Sequence, residues 1–180
     1  VHFNYSFPEH FWLALAEVLQ RHHVDREFIA AQYFGLLRNY RRYGWLILYL
    51  FGNSPAVCGS FIKDREHSLR ELSPGTWYEP HATSLRMSDL GYRNKNQAGV
   101  QISVNSLSEY VRDLTAAVST PHPEYQKIGV KVNGEYRQLN TNLQIENEYY
   151  SYIRPKRVIR PGERPSAALK RAGVEYVEFR

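Results

Sequence analysis

The sequence contains a single cysteine and no apolar run long enough to span a membrane. Its single cysteine, Cys58, cannot form a disulfide within the chain, and we expect a small buried side chain rather than a nucleophile. The longest apolar run, residues 45–51, falls far short of the roughly 18 residues that a membrane-spanning helix needs, and it predicts a buried helix. With no secretory leader ahead of the first strand pattern, we expect a protein of the reducing cytoplasm without a membrane partner.

Internal repeats, low-complexity tracts and signs of a second domain are also absent from the sequence. With 180 residues, of which 43% are hydrophobic, the chain is long enough to form one domain with its own core. We therefore interpret residues 1–180 as a single domain.

The net charge of +5 is concentrated in one segment, residues 154–164, which holds five basic residues and one acidic residue. Such a segment can bind a polyanion, including the phosphates of a nucleotide, or it can be a solvated loop. Both interpretations stay open from the sequence. Together with 14 tyrosines, the basic charge also leaves open a nucleic-acid-binding module, in which phenols stack on bases and this segment contacts phosphates.

Apolar residues at helical spacing predict several helices. They cover residues 8–21, 25–40, 45–51, 105–119 and 166–172, with Asp25 and Asn105 as the expected caps of the second and fourth. Within residues 130–139, the pair Asn133-Gly134 predicts a tight hairpin turn, because both residue types tolerate a positive φ.

Four stretches alternate polar and apolar residues, which predicts strands of an antiparallel sheet with one buried face. They are residues 1–7, 84–88, 142–150 and 174–180. The apolar positions, which we expect in the core, are Val1, Phe3, Tyr5, Phe7, Leu85, Met87, Leu143, Ile145, Val177 and Phe179. The polar positions are His2, Asn4, Ser6, Arg86, Gln144, Glu146, Glu148, Tyr150, Tyr176, Glu178 and Arg180. Such a sheet with helices beside it predicts an α+β fold.

The polar face is unusual for a solvated sheet because it is rich in histidine, carboxylates and arginine. Carboxylates beside a histidine can hold Mg²⁺ or Mn²⁺, and neighbouring arginines can hold the phosphates that accompany such an ion. A surface sheet covered with ion pairs would show the same residue types, so both interpretations stay open. Arg86 has two similar alternatives: a bidentate contact with a bound carboxylate or phosphate, or an ion pair with a neighbouring acid.

Four longer segments resemble glutamate-cysteine ligase, also called gamma-glutamylcysteine synthetase, of the proteobacterial type. They are YLFGNSPAVC (residues 49–58), TSLRMSDLGYRNK (83–95), LQIENEYYSYIRPKR (143–157) and GVEYVEFR (173–180). The resemblance extends in order over residues 1–180, whereas members of that family are much longer. It therefore implies that residues 1–180 are a single partial catalytic domain from the middle of a ligase, which we expect to be inactive alone.

The resemblance implies an α+β fold in which an antiparallel sheet with flanking helices forms part of a funnel, as in the glutamine synthetase catalytic domain. It also implies the first step of glutathione biosynthesis. In that reaction ATP phosphorylates the side-chain carboxylate of L-glutamate, and the amine of L-cysteine then displaces phosphate from the acyl phosphate. Mg²⁺ or Mn²⁺ is the implied cofactor, ATP is a co-substrate, and nucleic acid is not a partner.

The resemblance assigns several polar-face residues to metal and ATP binding. His2 and Glu178 match metal ligands of the family, and we expect them on neighbouring strands with both side chains in one cleft. Arg180 matches the arginine that faces the transferred phosphate, so it is the expected catalytic and nucleotide-binding residue. Asn4, on the same face as His2, is a further candidate for nucleotide binding.

Three other residues match positions that hold the cysteine substrate in the family. We expect Arg86 to bind the carboxylate of cysteine, and the phenols of Tyr92 and Tyr150 to add hydrogen bonds; strand alternation favours Tyr150 over Tyr149 and Tyr152. No separate role follows for Glu146, Glu148, Arg154, Lys156 and Arg157, for which we expect ion pairs that shape the site. The carboxylates of the polar face argue against the nucleic-acid alternative, because they would repel a phosphate backbone.

Overall fold

The computed structural model describes residues 2–63, 65–88, 90, 99–137 and 140–180. Its elements along the chain are β1 (Phe3–Tyr5), α1 (Glu9–Val18), α2 (Arg26–Tyr43), α3 (Trp45–Phe51), β2 (Ala56–Cys58), β3 (Arg70–Ser73), β4 (Thr76–Tyr78), α4 (Leu107–Ala117), α5 (Pro123–Ile128), β5 (Lys131–Val132), β6 (Glu135–Tyr136), β7 (Ile153–Lys156), α6 (Pro165–Ala172) and β8 (Tyr176–Phe179). Helices together with antiparallel strand pairs confirm the predicted α+β class.

The chain divides into two compact units. Unit 1 comprises Val1–Arg41 together with Lys95–Arg180, and unit 2 comprises Arg42–Asn94. Unit 1 holds a three-stranded antiparallel sheet with the order β1, β8, β7 and the two-stranded sheet β5–β6, and unit 2 holds a three-stranded antiparallel sheet with the order β2, β4, β3. That residues 1–180 act as a single partial catalytic domain stays a prediction.

The sheet of unit 1 follows the predicted alternation at its centre but not at its edge. Val177 on the central strand β8 is fully buried, as predicted. The prediction that Phe3 and Tyr5 lie in the core is wrong, because they are 61% and 43% exposed on the edge strand β1. An edge strand has a neighbour on one side only. The ring of Phe3 therefore finds only partial cover, from Tyr5 and from Phe179, whose ring centroids lie 6.2 and 6.1 Å away.

The core of unit 1 joins α1, α2, α4 and α6 to this sheet. Its largest fully buried side chains are Tyr33, Phe34, Leu37, Leu143, Ile153 and Val177. The hydroxyl of Tyr33 donates a hydrogen bond to the carbonyl oxygen of Glu175 at 3.0 Å and accepts one from the backbone N–H of Phe7 at 3.2 Å. One buried phenol thus fixes α2 to the segments that flank β1 and β8.

Two helix starts in unit 1 test the capping predictions. Asp25 caps α2 as predicted, since its Oδ1 accepts a hydrogen bond from the backbone N–H of Phe28 at 2.7 Å. The prediction of an Asn105 cap is wrong, because Ser106 is the N-cap of α4 and its Oγ accepts from the backbone N–H of Glu109 at 3.2 Å. The spacing from Ser106 to Glu109 is that of a capping box, a signal in the sequence for the correct start.

Unit 2 holds a much smaller core. Its buried hydrophobic residues, among those that the structure describes, are Ile62, Leu69 and Leu85. The helix α3 forms over the predicted residues, but the prediction that it is buried is wrong, because none of its side chains is buried. Burial requires a covering surface as well as apolar side chains, and the described residues cover little of this helix.

Two of the predicted strands form short 3₁₀ turns instead, over Leu85–Met87 and Glu146–Glu148. In both places a side chain bonds to nearby backbone, which competes with strand pairing. Ser88 Oγ donates to the carbonyl oxygen of Leu85 at 2.6 Å, and Glu148 Oε2 accepts from the backbone N–H of Gln144 at 2.7 Å. The predicted hairpin is confirmed, with Asn133 and Gly134 at φ values of 53° and 86° between β5 and β6.

Two further expectations concerned membrane-spanning helices and the single cysteine. Across the described part of the chain, no helix is both long and apolar enough to cross a membrane. The expectation of a buried Cys58 is wrong, because its thiol is exposed on β2, an edge strand of the unit 2 sheet. A hydrogen bond of 3.2 Å joins the hydroxyl of Ser60 to this thiol and lowers the thiol pKa.

Candidate active site

The candidate site lies on one face of the β1–β8–β7 sheet and is centred on Glu178. Asn4 on β1 and Arg154 on β7 are the residues directly opposite Glu178 on its two neighbouring strands. Directly opposite residues of an antiparallel pair point to the same face, as do residues two apart along a strand. The same face therefore receives His2, Lys156, Tyr176 and Arg180.

Glu178 accepts hydrogen bonds and ion pairs from several sides. Its Oε1 accepts from Arg154 Nη2 at 2.7 Å and from Arg180 Nε at 2.8 Å. The Nζ of Lys156 lies 3.4 Å from Oε2, and the Nδ1 of His2 lies 3.6 Å from Oε1. Two arginines and one lysine around one carboxylate give this face a positive charge, which favours binding of an anion.

The protonation states of this cluster follow from burial and charge. Burial alone would raise the pKa of Glu178, which is 7% exposed, but the hydrogen bonds from Arg180 and Arg154 and the charges of Arg154 and Lys156 lower that pKa to about 2. Burial and the charge of Arg154 lower the pKa of Lys156, against the opposing effect of Glu178. Glu178 is therefore ionised at neutral pH, as the arginines require.

Arg154 is a buried residue, 5% exposed, that joins Glu178 to a neighbouring turn. Its Nη1 donates to the carbonyl oxygens of Tyr149 at 2.9 Å and Asn147 at 3.2 Å, while Nη2 bonds to Glu178. The remaining donor, Nε, is buried without a hydrogen-bond partner in the described part of the chain. The guanidinium thus connects the sheet to the turn that precedes Tyr150.

The three tyrosines of this turn have different surroundings. Tyr149 packs in the core, and its hydroxyl accepts a hydrogen bond from Arg41 Nη2 at 3.1 Å. The guanidinium carbon of Arg180 lies 5.3 Å from the ring centroid of Tyr150, a cation–π distance. The backbone N–H of Arg180 donates to the carbonyl oxygen of Tyr152 at 3.0 Å. The ring of Tyr150 therefore lies against Arg180 of the site, and the preference for Tyr150 as a contact for cysteine stays a prediction.

The two glutamates of the turn both accept hydrogen bonds from backbone N–H groups. Glu146 is buried and accepts from the backbone N–H and the Oγ of Ser166 at 2.7 and 2.5 Å, at the first turn of α6. A carboxylate at a helix N-terminus compensates the unpaired N–H groups and the helix dipole. Glu148 makes the backbone contact with Gln144 described above. Both carboxylates therefore fix the shape of the turn.

Sequence reasoning missed the place of Arg154 and Lys156 in the sheet. Residues 154–164 were interpreted from their charge as a basic segment, and no strand was predicted there. A proline, Pro155, lacks an N–H and is unusual in a central strand. β7 lies at an edge of the sheet, where a missing donor is tolerated. Polar residues on alternate positions around this proline were the available signal. Of the same segment, Arg157 bonds to the carbonyl oxygens of Ala172 and Gly173 at 2.5 and 3.0 Å, away from Glu178.

The predicted metal ligands, His2 and Glu178, can be compared with the donor atoms that the structure brings together. His2 and Glu178 bring one nitrogen and one oxygen within 3.6 Å, on neighbouring strands and the same face. Within the described ranges no group of three or more histidine, cysteine, aspartate or glutamate side chains could hold a metal ion. These two residues therefore fit a divalent ion only as part of a larger ligand set.

The predicted cysteine-binding residues Arg86 and Tyr92 belong to unit 2. The backbone of Arg86 lies in the 3₁₀ turn Leu85–Met87, and Tyr92 lies outside the described residues. Their roles stay predictions.

Comparison of the sequence with known proteins identifies its family and several relatives. The model of the family "Glutamate-cysteine ligase" matches residues 1–180. Three curated proteins with that name are 53% identical over 186 residues (Alcanivorax borkumensis), 56% over 183 (Shewanella oneidensis) and 58% over 182 (Vibrio parahaemolyticus). Each alignment covers 100% of this chain and 35% of the relative, so the chain spans about a third of the length of the curated relatives it matches.

Solved structures show the same likeness. A crystal structure of glutamate-cysteine ligase from Francisella tularensis in complex with AMP matches 99% of this chain and 35% of its own, with a TM-score of 0.85 and 40% identity. A bifunctional glutathione synthetase from Pasteurella multocida matches 99% of this chain and 19% of its own, with a TM-score of 0.60. At 23% identity, this second likeness shows the fold alone.

Proposed function

Because the chain belongs to the glutamate-cysteine ligase family, we propose that the protein it forms part of joins the side-chain carboxylate of L-glutamate to the amine of L-cysteine with ATP. In the first half-reaction a carboxylate oxygen of glutamate attacks the terminal phosphorus of ATP, and ADP leaves. In the second, the cysteine nitrogen attacks the acyl carbon, phosphate leaves, and the nitrogen loses its proton. The AMP bound to the Francisella relative supports a nucleotide as substrate.

The observation that carries this proposal is the positive face around Glu178. Phosphoryl transfer brings several negative charges together, and a cation positioned beforehand lowers the barrier without reorganising. Arg180 is the candidate for this role, because Glu178 fixes its Nε at 2.8 Å while the guanidinium extends over Tyr150. We assign Arg180 to catalysis and nucleotide binding, with Asn4 as a second nucleotide contact on the same face.

For the cofactor we propose Mg²⁺ or Mn²⁺, held in part by His2 and Glu178. A divalent ion would neutralise phosphate oxygens during the transfer. Glu178 is ionised and His2 Nδ1 lies nearby, so both donors are chemically suitable, and the remaining ligands would come from the part of a ligase that this chain does not span. Mn²⁺ binding, followed by the relaxation of water protons, should weaken when Glu178 is replaced by Gln.

For cysteine we propose binding by Tyr150, Arg86 and Tyr92. Tyr150 is the supported member of this set, because its ring contacts Arg180 whereas the hydroxyl of Tyr149 is held by Arg41. We further propose that the β1–β8–β7 sheet is part of a larger funnel-shaped sheet, that residues 1–180 form one partial catalytic domain, and that the enzyme works in the cytoplasm.

The proposed activity is tested in a full-length ligase that carries these 180 residues. We expect ADP release that depends on both L-glutamate and L-cysteine. Arg180→Lys keeps the charge but loses the planar fork, so kcat should fall by about 100-fold or more. Arg171→Lys is the matched control, since Arg171 makes a similar fork-like contact with Glu163 on an exposed part of the same unit. A normal kcat for Arg180→Lys would contradict the catalytic assignment.

The 180-residue chain alone should release ADP far more slowly than the full-length ligase. It holds two of the proposed metal ligands and about a third of the relatives' length. Rates near those of a full-length relative would show that the remaining length is dispensable. The nucleic-acid alternative has no support from the comparisons; steeply salt-dependent oligonucleotide binding, unaffected by Mg²⁺, would revive it.

A further inference from the structure

We propose that Arg154 is a positioning residue for cysteine binding, which holds Glu178 and the turn before Tyr150 at a fixed separation. The inference rests on the proposed function, because it takes Tyr150 as a contact for cysteine. Arg154 touches no substrate in this proposal. It acts through the backbone that carries Tyr150, and the carboxylate of Glu178 is the second point to which its guanidinium is bonded.

One planar guanidinium makes both connections. Nη2 donates to Glu178 Oε1 at 2.7 Å, and Nη1 donates to the carbonyl oxygens of Tyr149 and Asn147 at 2.9 and 3.2 Å. Because the two nitrogens belong to one rigid plane, the distance from the carboxylate to the turn is set by covalent geometry. A flexible cation such as lysine offers no such fixed span.

A second set of contacts connects Glu178 to Tyr150 through Arg180. Glu178 Oε1 also accepts from Arg180 Nε at 2.8 Å, and the guanidinium of Arg180 lies over the ring of Tyr150 at 5.3 Å. The turn is held at its other end as well, where Glu146 bonds to Ser166 at the start of α6. Tyr150 is therefore located by contacts from both sides, and Arg154 is the member that connects them to Glu178.

Arg157 shows what a purely structural arginine does in the same segment. It also bonds to two backbone carbonyls, those of Ala172 and Gly173, and its Nη1 lies 3.4 Å from Glu175 Oε2, so these partners differ from the Glu178 and turn partners of Arg154. Arg154 differs in being buried with its Nε left without a partner among the described residues.

The first experiment compares Arg154→Lys with Arg157→Lys in a full-length ligase carrying these residues. Lysine can reach Glu178 or the turn, not both with fixed spacing. We expect Arg154→Lys to raise the KM for cysteine by about tenfold or more, with the KM for ATP changed less than about threefold. Arg157→Lys should change neither KM, although both variants can lower the melting temperature.

The second experiment tests whether Arg154 acts through Tyr150. We expect Tyr150→Phe to raise the KM for cysteine by itself. In that background, Arg154→Lys should add less than about a twofold further increase, because the group that it positions is gone. Fully multiplicative effects of the two substitutions would overturn the proposal.

The outcomes separate this inference from the proposed function. If Tyr150→Phe leaves the KM for cysteine unchanged, the cysteine-site assignment fails and the inference fails with it. If Tyr150→Phe raises that KM but Arg154→Lys does not, only the inference fails. Equal losses for cysteine, glutamate and ATP would identify Arg154 as a general structural support and overturn the proposal. Should Arg154→Lys not fold, Arg154→Gln, which removes the charge but keeps a donor, replaces it under the same criteria.

Discussion

The two units of the chain use similar apolar residues to different effect. In unit 1 the helices α1, α2, α4 and α6 and the sheet bury a continuous core with several fully enclosed side chains. In unit 2 three buried residues, Ile62, Leu69 and Leu85, form the described core, while Phe51 at the end of α3 is 76% exposed. An apolar sequence therefore predicts a helix better than it predicts what covers the helix.

The two units also differ in how many polar or charged side chains they bury. Within the described ranges, all of the buried polar or charged residues belong to unit 1: Glu146, Ser151, Arg154, Ser166 and Glu178. Buried charges are tolerated where hydrogen bonds compensate them, and such compensation needs a well-formed surrounding core. The unit with the dense core is thus also the unit that can hold an electrostatic site.

The largest expected effect on stability comes from truncating a core side chain, and it should differ between the two units. Phe34 is fully buried in unit 1, so Phe34→Ala should lower the free energy of unfolding of the 180-residue chain by about 3 to 5 kcal/mol. Leu69→Ala in unit 2 should lower it by about 2 kcal/mol, because few neighbours enclose the side chain. Urea denaturation followed by circular dichroism measures both, and equal losses would break the comparison.

The two units also differ in their proposed roles. Arg86, the proposed ligand of cysteine, lies in unit 2, and Arg180, the proposed catalytic residue, lies in unit 1. Removing one partner of a buried arginine–carboxylate contact commonly costs about 2 to 5 kcal/mol, so Arg86→Ala should raise the KM for cysteine well over tenfold in a full-length ligase. Arg86→Lys should lower cysteine affinity too, with ATP and glutamate hardly affected. Equal losses for all three substrates, with a lower melting temperature, would make Arg86 an ion-pair strut.

The pH dependence of stability probes the buried carboxylate of unit 1. The pKa of Glu178 falls from its usual 4.5 to about 2 on folding, so its stabilising contribution is present above pH 4.5 and is lost as the pH falls toward 2. The shift corresponds to about 3 kcal/mol. Glu163 and Asp113 have lowered pKa values and act in the same direction, so the relevant quantity is the difference between the chain and Glu178→Gln. An unchanged acid dependence in that variant would show that Glu178 is not the titrating group.

The sequence predicted these features unevenly, for physical reasons. The five predicted helices, the Asp25 cap and the turn at Asn133-Gly134 depend on local interactions, and they formed close to their predicted positions, whereas α5 was not predicted and α4 begins after Ser106 rather than Asn105. Alternation, which is local, placed His2 and Glu178 on the polar sides of their strands, but their expected proximity came from the family resemblance, because the pairing of β1 with β8 is a long-range contact. Arg154 was missed, since its place depends on which strand pairs with β8, a contact between residues far apart in the sequence.

The smallest expected effect concerns the exposed surface of α3. Leu50 is 59% exposed, so Leu50→Ser should change the free energy of unfolding of the 180-residue chain by no more than about 0.5 kcal/mol, in contrast to the truncation of Phe34. The same substitution should reduce binding of an apolar dye such as ANS and self-association at high concentration, because it removes apolar surface from water. Urea midpoints and sedimentation velocity measure the two effects. A loss of stability comparable to that of Leu69→Ala would mean that α3 is packed in solution, and the contrast between the units would then disappear.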